Sequence, residues 1–215
     1  MSKTNEMLDL IVLVADTDME WTMRTLLGKR TDSLGIRPLR FEVRRHHGRD
    51  PGVFKNAHNF LRFYLRRARY ALVLLDREGC GQEHRLSAEE IETELERRLR
   101  QNGWTDAEGQ SRAAAIALDP ELEVWVWSRS PHVAQALGLP QAELQQIIEN
   151  VPATPEGKPQ RPKEAMLTAL HRSGRPWSAR IFQELAERVS LLAHERAFDK
   201  LRGTLQTWFA PEAVQ

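Results

Sequence analysis

Acidic side chains recur in this 215-residue sequence where runs of Ile, Val and Leu stop. Asp16, Asp18 and Glu20 follow LDLIVLVA, Asp76 and Glu78 follow YALVLL, and Asp119, Glu121 and Glu123 lead into or lie on a later apolar segment. Carboxylates that fold close together repel one another, so their pKa values rise or a cation joins them. Mg2+, which takes hard oxygen ligands, suits such a set. A site of that kind serves phosphoryl chemistry, in which the metal neutralises charge developing on phosphate and polarises an attacking water. The plainer reading gives each acid a local task. Asp16 and Asp18 stand where a helix N-cap belongs, and for them both readings stay open. Asp76 and Glu78 are two residues apart directly after a strand, which sends both carboxylates the same way if strand geometry persists.

The elements that must position these acids alternate. Leu8–Ala15 and Tyr70–Leu75 read as strands buried on both faces of a parallel sheet. Arg37–Arg44, with Leu39, Phe41 and Val43 alternating with charge, reads as an edge strand. Between them the spacing predicts helices over Met19–Lys29 and Phe54–Arg69, separated from the edge strand by a loop at 46–52. A further helix opens on the Ser87/Glu90 capping-box spacing and stops at Asn102-Gly103. Arg112–Leu118 and Leu122–Trp127 read as later strands, and a short helix begins near Pro131. Residues 151–163, with four prolines, read as a linker or long surface loop. Helices over Lys163–His171, Ala179–Ala193 and Glu195–Phe209 complete the chain. This predicts an α/β fold: a mainly parallel sheet over 1–150 and a C-terminal helical segment over 164–215.

Composition narrows the function classes. With 41% hydrophobic and 28% charged residues the chain falls among folded globular proteins, not disordered or collagenous ones. No apolar run approaches the roughly 20 residues a membrane helix needs. Cys80 stands alone without a disulfide or zinc partner, and the N-terminal apolar run is short and ends in acid, unlike a signal peptide. A cytoplasmic location is expected. The net charge of +1 conceals a basic stretch: residues 37–70 hold ten Lys and Arg against two acids. Such a surface attracts a phosphate backbone without reading sequence, with Arg44, Arg45, Arg49, Arg62 and Arg66 as candidate contacts. A solvated face or a dock for an acidic protein explains the same charge. His46 and His47 read as exposed loop residues, Cys80 carries no assigned role, and Trp21, Trp125 and Trp127 read as core.

The acidic loop after the first strand, VLLDRE after the third, Glu123-Val124-Trp125 and the helical tail SARIFQELAERV…FDKLRGTLQTW together resemble small Toprim-like proteins found beside ATPase genes in bacterial mobile and defence loci. The resemblance spans nearly the whole chain. It implies a Toprim-like, Rossmann-like sheet in which a glutamate after the first strand and a D-x-D after the third hold Mg2+ or Mn2+. Asp76 and Glu78 stand at the D-x-D positions, and Glu123 matches the Glu of the Glu-x-Trp segment. The first motif departs, with Ala15-Asp16 where the family has glutamate, so Asp16 or Asp18 supplies the remaining carboxylate. The expectation is a Mg2+-dependent nuclease of a defence system, with Asp16, Asp18, Asp76 and Glu78 catalytic and Asp16, Asp76, Glu78 and Glu123 on the metal. The alternative is a catalytically degenerate subunit docked on an ATPase partner. A receiver domain phosphorylated on Asp76 is a third reading, opposed by the lack of a lysine at a later strand end.

Overall fold

The structure is a computed structural model that describes residues 7–128, 130–189 and 195–211. Four strands, β1 (Leu8–Val14), β2 (Phe41–Arg45), β3 (Ala68–Asp76) and β4 (Ala113–Leu118), pair in parallel in the order β2-β1-β3-β4. β1, β3 and β4 are almost wholly buried, as their unbroken apolar runs require, whereas β2 is an edge strand with only Val43 fully buried. The connecting helices are α1 (Thr17–Lys29), α2 (Thr31–Leu34), α3 (Arg49–Leu61) and α4 (Ala88–Gln101). The chain steps from β1 outward to β2, then back across β1 to β3 and on to β4. The order therefore reverses between β1 and β3, and the loops that carry Asp16 and Asp76 part there, which opens a crevice at the carboxyl ends of the strands.

The helix after β2 starts earlier and ends earlier than the sequence suggests. Pro51 does not mark a loop, because it sits in the first turn of α3, where its missing N–H has no intrahelical partner to lose. Gly52 is needed in the same turn, since a Cβ there would run into the ring of His46. His46 is thus buried, contrary to its reading as an exposed loop residue. It stacks on His47 at 4.6 Å between ring centroids and accepts the Gly48 N–H at 3.0 Å through Nδ1. At the other end α3 gives way to a single 3-10 turn (Arg62–Tyr64), and the chain enters β3 at Ala68, paired with Leu8.

Leu122–Trp127 is not a strand: Leu122–Trp125 form a 3-10 turn. Side chains occupy most of the outer edge of β4, which a fifth strand would need. Glu96 and Glu92 of α4 accept the Ala115 and Ala117 N–H groups at 3.0 and 2.8 Å, and Arg196 donates to the Ala117 carbonyl. Those side chains close the sheet at four strands.

The rest of the chain is helical: α5 (Pro131–Leu137), α6 (Gln141–Glu149), α7 (Pro162–Ser173), α8 (Ala179–Arg188) and α9 (Arg196–Trp208). α8 lies along α1, where Arg30 binds the carbonyls of Ala186 and Glu187 at its C-terminal end. α9 lies against β4, and Phe209 beyond it is buried in the same hydrophobic core as the strands. The predicted helix over 179–193 stops at Arg188, and positions 190–193 lie outside the described residues. The Pro-rich loop at 151–163 folds back on itself, Thr154 N–H to the Lys158 carbonyl at 2.7 Å, and Lys158 Nζ ties it to the Val124 carbonyl at 3.0 Å. Trp127 is core, Trp125 is partly buried and Trp21, read as core, is 41% exposed on the outer side of α1. Among the described residues no helix is long and apolar enough to cross a membrane.

Candidate metal centre

The acids that follow the strands do converge at one rim of the sheet, though not all in the expected roles. Asp16 ends the β1 loop as the N-cap of α1, its Oδ1 accepting the Met19 N–H at 2.9 Å. The cap reading holds for it, while its charge still raises the pKa values of Asp18, Asp50 and Asp76. Asp18, in the first turn of α1, accepts a hydrogen bond from the Trp177 indole at 2.9 Å. Burial pushes its carboxyl up, against the opposing pull of that bond.

Asp76, the last residue of β3, is 7% exposed and lies at the centre of the group. Its Oδ1 accepts the Leu122 N–H at 2.8 Å, and its own N–H donates to Asp50 Oδ1 at 2.8 Å. Burial, then the charges of Asp50, Glu123, Asp16 and Glu121, hold its carboxyl well above the usual range. The turn Leu122–Trp125 brings two further carboxylates. Glu121 is 8% exposed, with Oε1 accepting the Lys163 N–H at 3.1 Å and Oε2 3.5 Å from Lys163 Nζ. Glu123 is 3% exposed, its Oε2 is buried without a hydrogen-bond partner, and burial together with Glu121 pushes its pKa to about 7.

Asp76, Glu121 and Glu123 each offer an oxygen within 4.8 Å of the others. That span matches ligands shared by one ion with metal–oxygen bonds of about 2.0–2.6 Å. This buried triad is a place where a divalent cation could bind. Lys163, at the start of α7, supplies the nearest counter-charge. Burial would lower the pKa of its ammonium, but Glu123, Glu121 and Asp76 hold it above the ordinary lysine value.

Glu78 stands apart. β3 ends at Asp76 and the chain turns, so the two carboxylates do not share a face: Asp76 is buried and Glu78 is exposed, its charge felt at Glu121 without its joining the triad. The basic residues also divide. Arg45, at the end of β2, reaches Thr17 Oγ1 at 2.6 Å and Glu20 at 2.8 Å, and Arg49 opens α3 with φ of 48°; both lie at the acidic rim. Arg44 pairs with Glu42 and donates to the Tyr64 hydroxyl at 3.2 Å. Arg62 and Arg66 follow α3 and precede β3, which places them at the opposite end of the sheet. The ten basic residues are therefore not one surface beside the acids.

Three contributors escaped the sequence reading. Glu121 lay in a recognised acidic segment but was not chosen over Glu123. Asp50 had a usable signal, because the connection after every parallel strand starts at the same rim and Asp50, in the first turn of α3, follows β2 by five residues. Lys163 had none, since its place depends on how α7 packs against the turn at Leu122–Trp125. No protein-family model, curated protein or solved structure matches this chain.

Proposed function

We propose that the chain is a Mg2+- or Mn2+-dependent, Toprim-like hydrolase of phosphodiester bonds in nucleic acid. Asp76, Glu121 and Glu123 would hold the metal, with Asp16, Asp18 and Asp50 as the surrounding negative field. The observation that carries this is Glu123: a carboxylate 3% exposed, with one oxygen bare, gathered with two other buried acids whose oxygens lie within 4.8 Å, a set that a proton or a cation would neutralise. A cation bound there would polarise the scissile phosphate and lower the pKa of a bound water. Glu123, with a pKa of about 7 in the metal-free site, would give up its proton as the cation binds. Asp50 fixes the backbone of Asp76, and the Leu122 N–H orients the Asp76 carboxylate, so the ligands are set before substrate arrives. The Lys163 ammonium, beside Glu121, is placed to meet phosphate charge, and Arg45 and Arg49 would receive the backbone on either side.

The test is cleavage of plasmid, single-stranded DNA and RNA with Mg2+ or Mn2+ by the wild type and by Asp76→Asn. A loss of a hundredfold or more in the variant is expected. Equal cleavage by both would overturn the assignment.

A second reading is a Toprim-like subunit without catalysis that docks on an ATPase partner of a defence complex. Ala15 after β1, where the resemblance implies glutamate, and the Lys163 ammonium already beside Glu121 favour it. A wild-type chain that Mg2+ neither stabilises nor activates would select this reading.

A further inference from the structure

The end of the sheet opposite the acids carries a second charged surface. Between Asp50 and Asp76 the sequence contains no acid, and its arginines gather at this end, Arg62, Arg66 and Arg67 in the turn that joins α3 to β3 and Arg69 at the start of β3, all exposed. The guanidinium groups of Arg62 and Arg66 have no ion-pair or hydrogen-bond partner among the described residues. Arg67 lies over the Tyr64 ring at 5.9 Å. In the middle of this turn Phe63 is 80% exposed, the most exposed large apolar side chain among those described. Folding gains nothing from that placement, because burying a phenylalanine is ordinarily worth about 1.5–3 kcal/mol. The surface lies roughly 26 Å from Asp76, taking the eight steps of β3 from Ala68 at about 3.3 Å each.

From this turn we infer a binding surface for single-stranded nucleic acid, in which Phe63 stacks on a base while Arg62, Arg66, Arg67 and Arg69 meet the phosphates on either side. The charges of Arg62 and Arg66, without an ion-pair partner among the described residues, fit any polyanion, whereas Arg69 also feels Asp9; the exposed ring decides among the polyanions. A base has a π-face that gains about 1–3 kcal/mol by stacking on an aromatic side chain, whereas the carboxylates of an acidic peptide gain nothing from Phe63. A duplex keeps its bases stacked inside and offers Phe63 none, so the strand is single. The surface needs no metal and stands whether or not the acidic rim is catalytic.

Fluorescence anisotropy with a labelled 20-mer of deoxythymidine, in EDTA and at low salt, tests this. The wild type should bind the oligomer more tightly than a duplex of equal length, and polyglutamate should compete poorly. Phe63→Ala, which alters an exposed side chain and leaves the fold intact, should weaken binding at least about fivefold. Arg62→Ser with Arg66→Ser should lower the slope of log affinity against log salt by about 1.4, at 0.7 per contact. Unchanged binding by Phe63→Ala, equal affinity for duplex, or no binding in EDTA would each overturn the inference. Absence of cleavage at the acidic rim would leave it untouched.

Discussion

Two glutamates of this chain are equally buried and oppositely served. Glu92 and Glu123 are each 3% exposed. Glu92, on α4, accepts the Ala117 N–H at 2.8 Å, both of its oxygens face Arg196 at 3.0 and 3.1 Å, and Lys200 Nζ lies 3.0 Å away. Glu123 has a bare oxygen, two acids within reach and a single nearby ammonium. A buried carboxylate is tolerable when N–H groups and cations surround it and costly when other carboxylates do. The first cluster closes the β4 edge and holds α9 in place. The second stores unfavourable free energy that only a proton or a cation can relieve, as expected of a site built to bind something.

The sharpest way to break this contrast is to remove the satisfied member. Glu92→Ala leaves the Ala117 N–H without its acceptor and takes from Arg196 and Lys200 their buried partner, leaving them only Glu89 and Glu96, and we expect a loss of about 3–4 kcal/mol in urea unfolding. This is the low end for a broken buried pair, because both cations are about one-third exposed and can turn to water. A loss under about 1 kcal/mol would mean that the edge does not depend on this network.

The unsatisfied member should behave with the opposite sign. Glu123 has a folded-state pKa of about 7, above the roughly 4.3 of an unfolded glutamate. The native state therefore keeps its proton where the unfolded chain has lost it. Stability contributed by Glu123 is full below about pH 4.3, falls as pH rises towards 7 and is flat above. Glu123→Gln removes that dependence. In metal-free buffer the variant should gain on the wild type by about 3 kcal/mol between pH 4.5 and 7.5. A gap that stays constant with pH, read from parallel urea curves, would show that Glu123 is already compensated.

Cation binding gives a somewhat smaller effect. With Mg2+ or Mn2+ at a hundred times its dissociation constant the wild type should gain about 2.7 kcal/mol at pH 7.5. Binding should also release protons from Glu123, seen as a dependence of the calorimetric heat on buffer ionisation. Asp76→Asn and Glu123→Gln should lose the gain, and Glu92→Gln should keep it. Stabilisation of all three alike would move the ion away from the triad.

The same contrast shows what the sequence makes legible. The strands at Leu8 and Tyr70 announce themselves because both faces are buried and the apolar runs are unbroken, and the capping box at Ser87 and Glu90 forms as spaced, with Glu90 N–H to Ser87 Oγ at 3.2 Å. An α/β sheet with acids at its carboxyl ends could therefore be read from the chain. Which acids meet could not. Glu121 and Glu123 reach Asp76 because LEVWVW, apolar enough for a strand, is turned away by a β4 edge already occupied by Glu92, Glu96 and Arg196. That edge is built by residues from two other helices, so no local window contains the reason. The scattered arginines mislead for the same cause: α3, about 20 Å long, carries Arg49 to one end of the sheet and Arg62 to the other.

Glu78 provides the smallest effect and the finest discrimination. Alternation along β3 would place it beside Asp76, yet the strand stops two residues short of it and its side chain stands in solvent. Glu78→Ala should change stability by no more than about 0.5 kcal/mol, as is usual for an exposed site, since its carboxylate has no hydrogen bond or ion pair among the described residues. It should leave the Mg2+-dependent gain in place, with at most a slight tightening of Glu121, whose pKa the Glu78 charge helps to raise. If the gain instead disappeared, the exposed carboxylate would have to swing onto the ion when it binds. The ligand set would then be the one the sequence spacing suggests, completed only in the presence of metal, and the contrast between a finished cluster at the sheet edge and an unfinished one at the rim would extend to the chain turn after β3.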